Sequence, residues 1–134
     1  MSAEENKAII VRVIDELKKG NLGIIDEVFS PNFAFHSHIN PNGPLRGLEG
    51  ARKMVTSSVF SDLQVTIEDI FAAGDKVAVR WTFRGTYQGE AKPGFPKPGE
   101  RCTLVAISMY RFANGKIKDD WGVEAFWQTG EAWE

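Results

Sequence analysis

A chain of 134 residues that is 43% hydrophobic and 25% charged has the composition of a folded globular protein and the length of one domain, 1–134, able to bury a core without disulfides or a structural metal. Its 16 Lys and Arg stand against 18 Asp and Glu, for a net charge of −2, and no basic block offers a surface to a phosphate backbone, so a nucleic-acid partner is not expected. The lone cysteine, Cys102, rules out an internal disulfide; no Cys/His cluster has zinc spacing, no run approaches the roughly 18 apolar residues of a membrane span, and the acidic N-terminus is unlike a signal peptide, so a cytoplasmic protein without metal or membrane contact is expected.

Ser2 with Glu5 forms a capping-box pattern ahead of Ala8, Ile9, Val13, Ile14 and Leu17, whose helical spacing predicts a first helix to Lys19, stopped by Gly20. A second helix is predicted over Asn21–Phe29, ended by Ser30-Pro31, and a short strand over Phe33–His38. Turn residues fill Asn40–Pro44, and a third helix is expected from about Leu48 to Val59. Strands follow: Leu63–Phe71, with a slip in its alternation near Asp69, then Lys76–Tyr87, where Val77, Val79, Trp81 and Phe83 share one face. Gln88–Glu100, rich in Gly, Pro and Lys, is expected to be an exposed loop. Thr103–Phe112 is apolar on both parities, Asn114-Gly115 signals a tight hairpin, and Lys116–Phe126 is the last strand. Helices gathered ahead of antiparallel strands argue an α+β fold. The two apolar faces of Thr103–Phe112 predict a homodimer through the sheet, one face covering the interior and the other a second copy.

Val79-Arg80-Trp81-Thr82 with Gly85-Thr86-Tyr87-Gln88-Gly89, Arg111-Phe112 with Gly115-Lys116-Ile117, and Asp119-Asp120-Trp121 resemble the strands of the SnoaL-like polyketide cyclase family, within the nuclear transport factor 2-like superfamily. Asn32-Phe33-Ala34-Phe35-His36 and Gly47-Leu48-Glu49-Gly50 resemble its His-containing strand and the start of its third helix. The resemblance runs from the first helix to Gly130. It implies a cone: a strongly curved antiparallel sheet and three N-terminal helices enclosing a pocket, many members dimerising through the sheet. The function implied is a cofactor-independent cyclase or isomerase that moves protons on a hydrophobic, polyketide-like or steroid-like carbonyl compound. A non-catalytic ligand-binding or assembly module of the same fold is the alternative, and an epoxide hydrolase-like enzyme the third.

His36, Asp119 and Glu124 are the catalytic candidates. His36 matches the family His and shares strand parity with His38, opposite Phe33 and Phe35; an imidazole facing a pocket can move a proton near neutral pH. The family's acid is expected four residues beyond the strand's Trp, which here is Ala125, and the nearest carboxylate is Glu124. A bulge around Gly122 would turn Glu124 into the pocket with Trp121; without one, parity turns it away and leaves Asp119, in step with Ile117, Trp121 and Val123, as the inward acid, with Asp120 facing out. His38, Trp81, Phe83, Tyr110, Trp121 and Phe126 are the expected ligand-binding residues.

Overall fold

The computed structural model describes residues 2–37, 44–56 and 59–127, the side chains of Ser37, Phe126 and Trp127 excepted. Helix α1 (Ala3–Lys18) opens on the predicted capping box: the Glu5 amide donates to Ser2 Oγ at 3.1 Å, and the Ser2 amide to Glu5 Oε1 at 3.0 Å. These bonds satisfy two of the amides that every helix N-terminus leaves unpaired. Gly20, at φ +82°, takes the left-handed turn that ends the segment. Helix α2 (Gly23–Val28) is shorter than the pattern suggests and buries Ile24, Ile25 and Val28 while Leu22 stays exposed. Helix α3 spans Gly47–Thr56.

The strands are β1 (Phe29–Ser37), β2 (Leu45–Arg46), β3 (Phe60–Ala73), β4 (Lys76–Tyr87), β5 (Arg101–Ala113) and β6 (Lys116–Trp127). Strand β1 starts earlier than Pro31 suggests, because its ladder to β6 shifts register between Phe29 and Ala34 and so spares the proline an amide it lacks. The two-residue β2 carries no period in the sequence and is visible only in its pairing with β1. The irregularity expected near Asp69 is present as a register shift between Ile67 and Asp69. Asn114 and Gly115 both have positive φ, 53° and 75°, as their tight hairpin requires.

All six strands form one curved sheet, ordered β2-β1-β6-β5-β4-β3 and antiparallel except for the parallel β1–β6 pair. Helix α1 lies against β3 and β4 and helix α3 against β1 and β2, so one sheet face is covered. The fold is the expected α+β cone. Phe33, Ile24, Ile25, Ile117, Val77 and Val79 are fully buried. Each such side chain contributes about 1.5–3 kcal/mol of hydrophobic stabilisation.

Gly85 shows how tightly β3 and β4 meet. A Cβ there would lie 2.8 Å from the Ser61 carbonyl oxygen and 3.1 Å from Phe60 side-chain atoms. Backbone cannot yield as a flexible side chain does, so Gly85→Ala is expected to cost ~1–3 kcal/mol, seen as a lower urea midpoint at unchanged m-value.

Candidate active site

The last hairpin decides which side chains face the covered side of the sheet. Phe112 pairs with Ile117, but Arg111 pairs with Asp119, so Lys118 is left over as a β-bulge. Strand β1 has its own irregularity here, passing from Phe29 opposite Ile117 to Ala34 opposite Asp119 with the surplus residues on β1. An extra residue in one strand inverts the parity of everything after it. Ile117 therefore faces the core, as expected, while Asp119, Trp121 and Val123 turn outward and Asp120, Gly122 and Glu124 turn inward. Beyond the bulge the β5–β6 register is continuous, with no second bulge at Gly122. The inward face expected for Asp119 and Trp121, and the outward one for Asp120, are thus reversed.

On the inner face Asp120 stands opposite Tyr110 on β5 and Phe35 on β1. It is 3% exposed, and its Oδ1 has no hydrogen-bond partner among the described residues. Desolvation by burial raises its pKa from 3.8 to about 8. Tyr110 is raised well above its ordinary value, first by burial and then by the neighbouring Asp120 charge, against a hydrogen bond with Ser108 that acts the other way. The Trp81 indole N–H donates to Ser108 Oγ at 3.1 Å. Trp81 and Tyr110 also line a cavity of ≈ 50 Å³ closed by Ile10, Ile14 and Leu17 of α1 and by Met54 of α3. Phe83 is half-buried against the core and tilted against Trp81, with centroids 6.0 Å apart. Glu124, opposite Ala106, is exposed at the edge of this face, and desolvation raises its pKa.

Two sequence candidates meet on the other side of the sheet. His36 Nε2 lies 3.0 Å from Asp119 Oδ1, and its ring stacks on Trp121 with centroids 5.2 Å apart and planes at 13°. Arg111 donates twice to Asp119 Oδ2, from Nε at 2.9 Å and from Nη2 at 2.6 Å, and Lys118 Nζ is 3.8 Å from Oδ1. Burial pushes the Asp119 carboxyl up, but the hydrogen bonds from His36 and Arg111 and the nearby cations outweigh it, and the net shift is downward. Neighbours in sequence, Asp119 and Asp120 thus have opposite shifts. His36 shares this outer face because it pairs with Trp121, while Phe33 and Phe35 point to the core. His38 and the Phe126 side chain lie outside the described residues. Among those residues no cluster of three or more His, Cys, Asp or Glu is placed to hold a metal ion.

A sequence model of the SnoaL-like polyketide cyclases matches residues 8–129. The chain belongs to that family. Among solved structures it resembles AclR from Streptomyces galilaeus, 28% identical with a TM-score of 0.72 over 92% of this chain and 81% of that one. It also resembles IdmH from Streptomyces antibioticus, 26% identical, TM-score 0.70, over 89% and 91% of the two chains. A SnoaL-like polyketide cyclase from Agrobacterium tumefaciens shares the fold at 21% identity, TM-score 0.75, over 92% of each chain. No curated protein matches the sequence significantly. Membership of the SnoaL-like family supports a cyclase- or isomerase-type function and a small-molecule ligand.

Strict alternation carried through Lys118 hides the inward facing of Asp120. The signal available was the polar run Lys118-Asp119-Asp120, which breaks the period of a half-buried strand and marks a bulge. Its burial gives stability a definite pH dependence. The folded carboxyl holds its proton more tightly than the unfolded one, so its contribution is complete below pH 3.8 and is lost as pH rises to about 8. The raised Glu124 acts in the same sense. The isosteric Asp120→Asn is expected to flatten the fall in melting temperature between pH 4 and about 8, with a gain above that range on the order of 5 kcal/mol.

Proposed function

We propose that this protein is an acid–base isomerase or cyclase of a hydrophobic carbonyl compound, with Asp120 as base and Tyr110 as hydrogen-bond donor. The observation that carries the reading is Asp120 itself, a buried inward carboxylate paired across the ladder with a buried phenol, its Oδ1 without a hydrogen-bond partner among the described residues. A base works best when its pKa lies near the operating pH, and a value of about 8 puts Asp120 there. The ionised carboxylate takes a proton from the carbon next to the substrate carbonyl. Negative charge moves to the carbonyl oxygen, where the Tyr110 hydroxyl, raised well above its ordinary pKa and so still protonated, stabilises it. The enolate then takes the proton back at another carbon, an isomerisation, or attacks a second carbonyl, a ring closure whose alkoxide must be protonated. Glu124 lies roughly 13 Å further along the same face of β6, where it serves as the second acid of that closure.

The experiment is deuterium uptake by cyclic ketones in heavy water. The rate is expected to rise about tenfold per pH unit below about pH 8 and then level off, as ionisation of Asp120 requires. Asp120→Asn should lower it ~100-fold or more, and Tyr110→Phe ~10–100-fold. No exchange above buffer across a broad panel, or full activity in Asp120→Asn, rejects the reading.

One observation favours the non-catalytic binding module. The cavity of ≈ 50 Å³ is far below the roughly 300–1,000 Å³ of pockets that hold drug-sized ligands, so a substrate must displace side chains such as Met54 and Leu17. A ligand that binds wild type and Asp120→Asn equally, without turnover in either, decides for that module. Epoxide opening needs a paired Asp and Arg facing the ligand, whereas Arg111 and Asp119 pair on the outer face.

The outer face also supports a homodimer. Ile107 and Val123 stand opposite each other at 53% exposure each, next to the Met109–Trp121 pair, at 39% and 37%. Contiguous exposed apolar side chains on central strands fit a second copy related by a two-fold axis. Sedimentation is expected to show a dimer that Ile107→Asp with Val123→Lys converts to monomer; a wild-type monomer at micromolar concentration contradicts this.

A further inference from the structure

We propose that Gly122 is a substrate-contacting specificity residue, its bare backbone a platform on which a flat, ring-fused carbonyl compound lies with its reacting end at Asp120. The inference rests on the proposed reaction and names the substrate class that the site takes. Gly122 stands between Asp120 and Glu124 on the inner face of β6. Nothing in the backbone calls for glycine there: its φ is not positive, unlike that of Gly20 or Gly115, and the β5–β6 register runs through it without a shift. Packing does not call for one either. A Cβ added to Gly122 would meet the Phe35 ring at 3.4 Å (Cε1) and 3.9 Å (Cζ) and Ser108 Oγ at 3.7 Å, all ordinary contacts with side chains. At Gly85, by contrast, the added Cβ would lie 2.8 Å from a backbone oxygen. A glycine inside a strand weakens it, and it marks a bulge, a closely approaching backbone or a ligand. The continuous register removes the first of these and the side-chain contacts remove the second, which leaves the ligand.

The surroundings say what fits. Across the ladder Gly122 stands opposite Ser108 and Glu124 opposite Ala106, so on β5 the floor carries only small side chains. Phe35 borders it on the β1 side, and on the other side the Trp81 indole reaches across to Ser108 Oγ at 3.1 Å. A low floor between two aromatic side chains takes a planar apolar ring system rather than a branched one. An independent observation gives the platform a polar end. Asp120, next on the same face, is 3% exposed, and its Oδ1 has no hydrogen-bond partner among the described residues. Phe35 and Gly122 keep partial exposure beside this buried carboxyl, so the approach to it runs over Gly122.

The test compares wild type, Gly122→Ala and Gly122→Val in the heavy-water exchange assay on a fused bicyclic ketone, 2-tetralone, and a single-ring one, cyclopentanone. The ratio of kcat/KM for 2-tetralone to that for cyclopentanone is expected to fall about tenfold in Gly122→Ala and further in Gly122→Val, through KM rather than kcat. The melting temperature of Gly122→Ala should equal or exceed that of wild type, because alanine has less freedom to lose on folding and meets no close contact. An unchanged ratio overturns the inference. So does a lower melting temperature in Gly122→Ala, which would show that the glycine serves the fold. If wild type exchanges neither ketone, the proposed reaction fails, and calorimetric binding of 2-naphthol, a flat mimic of the enol, compared with phenol decides separately. A loss of about tenfold in 2-naphthol affinity relative to phenol in Gly122→Ala upholds the platform. Equal 2-naphthol affinity in the two proteins, or no binding to wild type, overturns it.

Discussion

Lys118 pairs with no residue of β5 or β1, and the facing of the last strand depends on that mismatch. Side chains on a strand alternate with a period of two, so one unpaired residue exchanges the two faces for the rest of the strand. Ile117 before the bulge is anchored in the core at 0% exposure, and Arg111 opposite Asp119 anchors the register after it with two hydrogen bonds. Between these anchors the chain must absorb one residue. As a result the interior receives a carboxylate, Asp120, and the outer face receives Trp121, a large aromatic side chain left 37% exposed.

The two adjacent aspartates show how environment sets chemistry. Asp119 is buried but has three cationic or imidazole neighbours within 4 Å, and its pKa falls. Asp120, with Phe35 and Tyr110 as its ladder partners, is desolvated by burial, and its pKa rises to about 8. The same side chain is thus a permanent anion that ties β1, β5 and β6 together at one position and a titrating group at the next. Burying an unpaired carboxyl is costly, and structures retain such groups mainly where the perturbed proton affinity is used.

Much of this was legible in the sequence. The capping box, the cleanly alternating β4, the Asn114-Gly115 hairpin and the doubly apolar β5 each rest on local rules that the tertiary structure does not override. His36 and Asp119 are separate candidates in the sequence, and the fold brings them together, but on the face opposite to the one expected. Parity is a relative quantity: it says that Glu124 and Trp121 oppose each other, which they do, but anchoring it on Ile117 gives the wrong face because the bulge at Lys118 lies between. Strand β2 and the irregular start of β1 were hidden for a related reason, since both exist through pairing with neighbours rather than through any period of their own.

The proposed chemistry requires Asp120 to be an inward, desolvated acid. The most direct measurement is the carboxyl-carbon resonance of Asp120 followed through a pH titration of the wild-type protein, assigned by its loss in Asp120→Asn. A midpoint near 8 is the predicted result. A midpoint near 4, the ordinary value for a solvated aspartate, would show that the side chain reaches water and that β6 does not present an acid to the interior.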